Sequence, residues 1–96
     1  IDDRRFCDVW TAKRKSGHGR SAVFLEMRRK GASREAAQEA LDGWDGEEEY
    51  LSARKTAEKL IRQGRDQAHV MAALRRRGYA PSLCLRALNS LKEESD

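Results

Sequence analysis

The 96-residue chain has few of the side chains that fill most hydrophobic cores. Leu, Ile, Val and Phe together number sixteen, about 17% of the residues, which is below the level of about 20% at which disorder becomes a concern. There is only one proline, and no run of apolar residues approaches the length of about 20 that a membrane span needs. The shortage of β-branched residues and turn signals excludes a β-sandwich. Thirteen alanines supply helix propensity instead, so the composition predicts a small all-α protein.

The two cysteines show no pattern typical of a disulfide framework or a metal site. Cys7 and Cys84 are accompanied by no CxxC pair and no Cys/His cluster. We therefore expect inert buried thiols, no metal and no cofactor, in a cytoplasmic protein. No signal peptide is recognisable. The chain opens on Ile1 rather than Met, which we interpret as the start of a fragment.

The charges are unevenly distributed along the chain. The net charge is +4, and the sequence alternates between a basic stretch at residues 1–31, an acidic one at 32–50, a basic one at 51–91 and a short acidic tail. The high isoelectric point, near 9.4, favours an acidic partner such as nucleic acid. The acidic stretch contains two glycines and is typical of a connector that enters a helix.

A repeat of 47 residues organises the whole sequence. Met27-Arg-Arg-Lys-Gly31 has the same pattern as Leu74-Arg-Arg-Arg-Gly78. The same shift places apolar residues on apolar residues at most of the expected core positions. A period of 40 to 50 residues is typical of helical repeat proteins. The sequence therefore predicts two tandem three-helix repeats, at residues 1–46 and 47–96, in an elongated and slightly curved molecule.

Helix signals define three short helices in each repeat. Asp2 or Asp3 and Ser33 are predicted N-caps, Pro81 is a predicted first helical residue, and Gly31 and Gly78 are predicted C-caps with positive φ. The predicted helices span residues 3–15, 20–30, 34–43, 47–62, 65–77 and 81–91. The predicted core of the first repeat comprises Phe6, Trp10, Phe24, Met27, Leu41 and Trp44, and that of the second comprises Leu60, Ile61, Val70, Met71, Leu74, Leu83 and Leu88.

Two basic triplets are the strongest candidates for a binding site. They are Arg28, Arg29 and Lys30 in the first repeat and Arg75, Arg76 and Arg77 in the second. Cations in the last turn of a helix stabilise its negative end, which is the alternative interpretation. That explanation suits one cation better than three, because three successive residues spread over most of the helix circumference. Tyr79, directly after the second triplet, is expected to anchor the turn rather than to stack on a base.

Two other functions find less support in the residues. In a helix-turn-helix reader of DNA the third helix would enter the major groove, but here it carries Glu35, Glu39 and Asp42, whose charge opposes phosphate and which we expect to face solvent. Neither His18 nor His69 belongs to a metal-binding or nucleophile motif, and no phosphate-binding glycine loop is present. The sequence therefore predicts a protein that is not an enzyme.

Several motifs together resemble the RecX family of regulatory proteins. They are Ile1-Asp-Asp-Arg-Arg-Phe6, Gly17-x-x-Arg20, Leu25-x-x-x-x-Lys30-Gly31 and Leu74-Arg-Arg-Arg-Gly-Tyr79, and Cys7 occupies a position where the family usually has alanine. The resemblance matches the middle and last repeats of that family, so it implies a first repeat upstream of Ile1. It also implies a modulator of the RecA recombinase that lies in the groove of the RecA–DNA filament and restrains ATP hydrolysis and strand exchange.

The resemblance and the basic charge together lead us to expect a monomer that binds the RecA filament and single- and double-stranded DNA without sequence preference, with the two triplets as its contacts. Two alternatives remain at this level. One is a nucleic-acid-binding helical module that acts without a recombinase, and the other is a helical adaptor that contacts only protein.

Overall fold

The computed structural model describes residues 3–94, and within this range it contains six α-helices and no β-strand. The all-α prediction is therefore confirmed. In chain order the helices are α1 (Asp3–Arg14), α2 (Arg20–Arg29), α3 (Arg34–Asp42), α4 (Gly46–Arg62), α5 (Gln67–Arg76) and α6 (Pro81–Glu94).

The helix boundaries follow from local capping. The Ser33 hydroxyl accepts a hydrogen bond from the Ala36 N–H, and Pro81 is the first residue of α6, as predicted. Helix α5 begins two residues later than predicted because the Asp66 carboxylate caps it by accepting from the His69 N–H. Asp3 is the first residue of α1 and accepts a hydrogen bond from the Ser33 N–H instead of capping its own helix. Asp2 lies outside the described residues.

Gly31 and Gly78 both have positive φ, +99° and +95°, as predicted. Each follows the last turn of its helix, and the next residue donates a backbone hydrogen bond across that turn: Ala32 N–H to the Met27 carbonyl and Tyr79 N–H to the Leu74 carbonyl. In this arrangement a residue in the left-handed backbone conformation ends the helix. It turns the chain sharply into the third helix of each unit.

Helices α1–α3 and helices α4–α6 form separate three-helix units, each with its own buried cluster. The clusters are rich in alanine, which lets short helices approach each other closely. The first cluster comprises Cys7, Val23, Met27, Ala32, Ala36, Ala37, Ala40, Leu41 and Trp44, and the second comprises Tyr50, Ala53, Ala57, Val70, Leu74, Tyr79, Cys84, Ala87 and Leu88. The described molecule measures 50 × 21 × 19 Å, so it is elongated.

Most of the predicted core is confirmed. The fully buried members are Met27, Leu41, Trp44, Val70, Leu74 and Leu88, while those packed half-buried against the clusters are Phe6, Trp10, Phe24, Leu60, Met71 and Leu83. Ile61 was assigned wrongly to the core, because its side chain is 44% exposed. It lies in the last turn of α4 and lines a shallow, open groove together with Leu88 and Leu91 of α6.

Both cysteines are free and buried, as predicted. Burial raises the pKa of both the Cys7 and the Cys84 thiol above its ordinary value, so both remain protonated and unreactive at neutral pH.

Candidate functional site

The first basic triplet ends α2, and its three cations have different environments. Arg28 donates a hydrogen bond of 3.0 Å from Nη1 to the Ala32 carbonyl, which fixes the turn after the helix. Lys30 Nζ lies 4.6 Å from the centre of the Trp10 ring, within the range of a cation–π interaction. Arg29 is exposed, and within residues 3–94 its side chain forms no ion pair or hydrogen bond.

The second triplet ends α5, and its three arginines also differ in their contacts. Arg75 and Arg76 are exposed and, among the described residues, have no ion-pair or hydrogen-bond partner for their guanidinium groups. Arg77 differs, because its Nη1 donates a hydrogen bond of 3.1 Å to the Gly17 carbonyl of the first unit. Arg77 is therefore a link between the two units as well as a surface cation.

The turn at Arg77 and Gly78 packs directly against the start of α2. Gly19 N–H donates to the Arg77 carbonyl at 2.8 Å. A Cβ atom at Gly19 would lie 2.4 Å from the carbonyl carbon of Gly78, and a Cβ atom at Gly78 would lie 2.5 Å from the Ala22 Cβ. Both distances are well below van der Waals contact. The two backbones can meet in this way only because both positions are glycine.

A buried carboxylate at the start of α4 reinforces this junction. Glu49 is only 7% exposed, and its two oxygens accept hydrogen bonds of 2.9 Å from the Nε and from the backbone N–H of Arg20. The same guanidinium also donates to the carbonyls of Leu41 and Trp44 at the end of α3. Glu49 thus places a negative charge at the positive N-terminal end of α2, while Arg20 satisfies carbonyls at the C-terminal end of α3.

Tyr79 forms the third part of the junction. Its ring is buried, 1% exposed, and its hydroxyl lies 2.6 Å from the Ser52 hydroxyl. Ser52 also accepts a hydrogen bond of 2.8 Å from the Gly17 N–H. The prediction that Tyr79 anchors the turn is confirmed. Burial raises the pKa of the Tyr79 phenol above its ordinary value, and the hydrogen bond between the Tyr79 and Ser52 hydroxyls acts in the opposite direction.

The basic surface continues onto α4, beyond the two triplets that the sequence pattern indicated. Ser52, Lys55, Lys59 and Arg62 recur on one face of this helix. They line a groove that also includes the turn at Ser16 and Gly17, which Arg77 contacts. The helical spacing of the cations within residues 55–62 was the sequence signal for this face. Glu58 forms an ion pair with Arg62 at 2.7 Å, so Lys55 and Lys59 contribute most of the net positive charge of this face of α4.

The acidic residues of α3 lie on a separate surface. Glu35, Glu39 and Asp42 are all exposed, as predicted. Glu39 pairs with Arg4 of α1, and Asp42 accepts a hydrogen bond from Gln38. The helix that would enter a DNA groove in a helix-turn-helix protein therefore presents negative charge to solvent.

The partly buried Glu26 carboxylate joins α1 to α2 through hydrogen bonds from Arg14 and Trp10. Burial alone would raise the pKa of the Glu26 carboxyl, but hydrogen bonds from Arg14 and Trp10 outweigh it and hold that pKa below its ordinary value. No three His, Cys, Asp or Glu side chains of residues 3–94 come together as a set of metal ligands. None of the described helices is long and apolar enough to cross a membrane.

The architecture and these surfaces define a class: an elongated all-α protein of two linked three-helix units with basic helix ends. Residues 2–41 match the family model described as "RecX, second three-helix domain". The chain belongs to the RecX family, whose curated members carry the name regulatory protein RecX.

Three relatives illustrate the similarity. The regulatory protein RecX of Treponema pallidum is 36% identical over 92 residues, which cover 92% of this chain and 56% of the relative. That of Thermobifida fusca is 29% identical over 94 residues, with coverage of 90% and 51%. That of Bacillus subtilis is 25% identical over 104 residues, with coverage of 100% and 39%. The chain thus spans about half the length of the first two. No solved structure matches it.

Proposed function

We propose that this chain binds a RecA recombinase filament on DNA and slows its ATP turnover and strand exchange, acting in the cytoplasm as a monomer and without chemistry of its own. The observation that carries the proposal is a set of three unpartnered arginines at two helix ends. Within residues 3–94, Arg29, Arg75 and Arg76 are exposed and have no ion-pair partner. Membership of a regulatory family supports the role of a modulator.

The junction supports the proposal by fixing the separation of these cations. Helix α2 starts beside the Arg77–Gly78 turn, and Arg29 is its tenth and last residue. At about 1.5 Å per residue, the two basic ends lie about 15 Å apart along α2. Duplex DNA carries one phosphate per about 1.7 Å of its axis, so a separation of about 15 Å spans several phosphates of one duplex.

Of the six residues in the two triplets, Arg29, Arg75 and Arg76 are the preferred contacts with phosphate. Arg28, Lys30 and Arg77 remain proposed phosphate contacts, but each also makes a contact that stabilises the fold. Reversing the charge of Arg77 would disturb the junction as well as the surface. A clean test therefore leaves Arg77 unchanged.

The test is RecA ATPase activity on single-stranded DNA with the parent chain or with Arg75→Glu/Arg76→Glu. We expect the parent to slow ATP turnover and the double variant to need at least tenfold more protein for the same effect. The matched control is Arg34→Glu/Arg65→Glu, which makes the same change in net charge at exposed positions outside both triplets. The control should behave like the parent.

Other outcomes would support other functions. If the parent does not affect RecA but binds naked DNA with an affinity that falls steeply with salt, the chain is a nucleic-acid-binding module. If it binds RecA alone, without salt-dependent affinity for DNA, it is a protein adaptor. If the double variant slows ATP turnover as well as the parent, the triplets only stabilise helix ends.

A further inference from the structure

The groove between the first three-helix unit and α4 contains two cations whose charge is not neutralised. Its walls are the turn at Ser16 and Gly17 and one face of α4, and its volume is about 390 Å³. Lys55 and Lys59 are exposed, and within residues 3–94 neither side chain forms an ion pair or a hydrogen bond. An anion that enters the groove therefore meets two positive charges that the described chain does not use.

The acidic side chains near these lysines are already paired with other cations. Glu58 forms an ion pair with Arg62 at 2.7 Å, and Glu48 forms one with Lys15 at 3.0 Å. Each of these pairs has no net charge. The net charge of the groove is therefore set by the two lysines and is positive.

Neither helix-end chemistry nor the repeat explains this pair of lysines. Lys55 lies in the middle of the 17-residue helix α4, and the effect of a helix dipole is confined to the first and last turns. A shift of 47 positions places Asp8 and Ala12 where the second unit has Lys55 and Lys59. The basic triplets recur in both units, whereas this pair occurs only beside the groove.

The hydroxyl groups on the floor of the groove are used within the protein. The Ser52 hydroxyl accepts a hydrogen bond of 2.8 Å from the Gly17 N–H and lies 2.6 Å from the Tyr79 hydroxyl. Thr56 donates from Oγ1 to the Ser52 carbonyl at 3.1 Å. These groups are not available to read the edges of bases. The groove therefore selects a ligand by charge, which is how phosphate contacts act, and not by sequence.

We propose that this groove binds the sugar–phosphate backbone of one single strand of nucleic acid, with Lys55 and Lys59 in contact with successive phosphates. Residues four positions apart lie about 6 Å apart along a helix, a distance similar to that between successive phosphates of one strand. A duplex is too wide to enter, because its major groove alone measures about 12 Å. Each unit supplies one wall, so the site exists only when the two units are docked.

Arg77 connects the groove to the second basic triplet. Its Nη1 donates to the carbonyl of Gly17, which lines the groove, at 3.1 Å. Arg75 and Arg76 precede it at the end of α5. A strand that leaves the groove past Gly17 therefore reaches the phosphate contacts proposed above. The proposal rests on the proposed function only in taking DNA as the partner, and it adds which form of DNA binds and along which path.

Fluorescence anisotropy of a labelled oligothymidylate, measured without recombinase, tests the site. We expect Lys55→Ala/Lys59→Ala to weaken binding at least tenfold. The slope of log affinity against log salt should fall by about 1.4, because each phosphate contact with a single strand contributes about 0.7. Alanine keeps the helix propensity of α4, so the variant stays folded. The matched control Arg34→Ala/Arg65→Ala removes two exposed cations elsewhere and should bind like the parent.

A duplex of the same length provides the comparison between forms of DNA. The lysine variant should lose less than threefold in affinity for the duplex. Equal losses for the single strand and the duplex would overturn the proposal, because the lysines would then act as general cations. A loss in the control variant as large as that in the lysine variant would overturn it for the same reason.

Amide chemical shifts measured by NMR locate the bound strand. At saturating oligonucleotide, the Gly17 amide in the groove wall should shift in the parent and should lose most of this shift in Lys55→Ala/Lys59→Ala. The Gly31 amide beside the first triplet should shift in both proteins. An unshifted Gly17 amide in the parent would overturn the proposal. A glutamate-rich peptide that shifts the Gly17 amide as far as the oligonucleotide does would also overturn it, in favour of an acidic protein ligand.

These outcomes separate the groove from the function proposed above. Binding of the oligonucleotide that depends on Lys55 and Lys59, without any effect of the chain on RecA ATPase activity, would support the groove and refute the regulator. If the parent slows RecA ATPase activity but the two lysines do not affect binding of the oligonucleotide, the regulator stands and the proposed groove is wrong.

Discussion

Gly19 and Gly78 lie 59 positions apart and meet backbone to backbone, so that a Cβ atom on either glycine would overlap the other three-helix unit. The hydrogen bond from the Gly19 N–H to the Arg77 carbonyl lies beside this contact. It joins the end of α5 to the start of α2, so the negative end of one helix meets the positive end of another. This relationship sets the orientation of the two units, and several measurable effects depend on it.

Replacement of Gly78 by valine should destabilise the protein more than the same change at Gly31. Both positions have positive φ, which costs a residue with a side chain about 1–2 kcal/mol. Only Gly78 also lacks space for a Cβ atom. We expect a loss of about 1–2 kcal/mol for Gly31→Val and at least ~1 kcal/mol more for Gly78→Val, measured by urea unfolding. Equal losses would show that the contact at Gly78 adds no stability.

Replacement of Glu49 by glutamine should weaken the junction, whereas the same change at its neighbour Glu48 should not. Glu49 is buried and accepts two hydrogen bonds from Arg20, and a hydrogen bond to a charged group contributes about 1.5–3 kcal/mol. Glu48 forms an exposed pair with Lys15, which contributes between about 0 and 1 kcal/mol. We expect Glu49→Gln to lose about 2 kcal/mol of unfolding free energy and Glu48→Gln less than about 0.5 kcal/mol. A reversed order would contradict the assigned roles.

The protein should lose stability at alkaline pH. Burial raises the pKa values of Cys7, Cys84 and Tyr79 in the folded state, so the unfolded chain loses these protons first as the pH rises. The stabilisation is complete below the ordinary pKa values of 9.0 for the thiols and 10.0 for the phenol and is lost progressively above them. Unfolding by urea between pH 7 and pH 11 measures this effect.

The variant Tyr79→Phe separates the phenol from the thiols. It loses the hydrogen bond to Ser52, at a cost of about 0.5–1.5 kcal/mol at pH 7. Its loss of stability between pH 10 and pH 11 should be smaller than that of the parent. An identical pH profile for the two proteins would show that Tyr79 contributes nothing to the alkaline transition.

Trp10 should contribute less to stability than a fully buried tryptophan. Truncation of a buried tryptophan to alanine costs about 3–5 kcal/mol, but Trp10 is half-buried, stacks on Phe6 at 6.0 Å and donates from Nε1 to Glu26. We expect Trp10→Ala to lose about 2 kcal/mol and Trp10→Phe, which keeps the stacking, to lose about half of that. Thermal unfolding followed by circular dichroism would measure both. A loss below about 0.5 kcal/mol for Trp10→Ala, as for an ordinary surface position, would contradict its place in the first cluster.

The parts of the structure that sequence could predict depend on local signals. Ser33, Gly31 and Pro81 define helix ends within one or two turns of themselves, so the six helices follow from short stretches of chain. The 47-residue shift then identifies the second unit from the first. The fully buried Met27 and Leu74 occupy equivalent positions in the two units and were predicted together.

The junction depends on distant partners and escaped prediction. Glu49 lies in an acidic stretch that looked like an ordinary helix start, yet its carboxylate binds Arg20 at 2.9 Å from 29 positions away. Ile61 continues the apolar pattern of α4, but no helix covers its outer side. Gly19 carries no local signal that sets it apart from other turn glycines, because its need for glycine arises from Gly78.

The alanines of the two clusters also determine how much of the molecule its partners can contact. Because small side chains let the helices pack closely, the cross-section is only 21 × 19 Å, the width of about two helices. Within residues 3–94 no third layer of helices forms, and each of the six helices has exposed residues. The accessible surface is 6262 Å², compared with about 5,600 Å² for a compact monomer of this mass. The protein therefore exposes more surface to binding partners than a compact monomer of the same mass would.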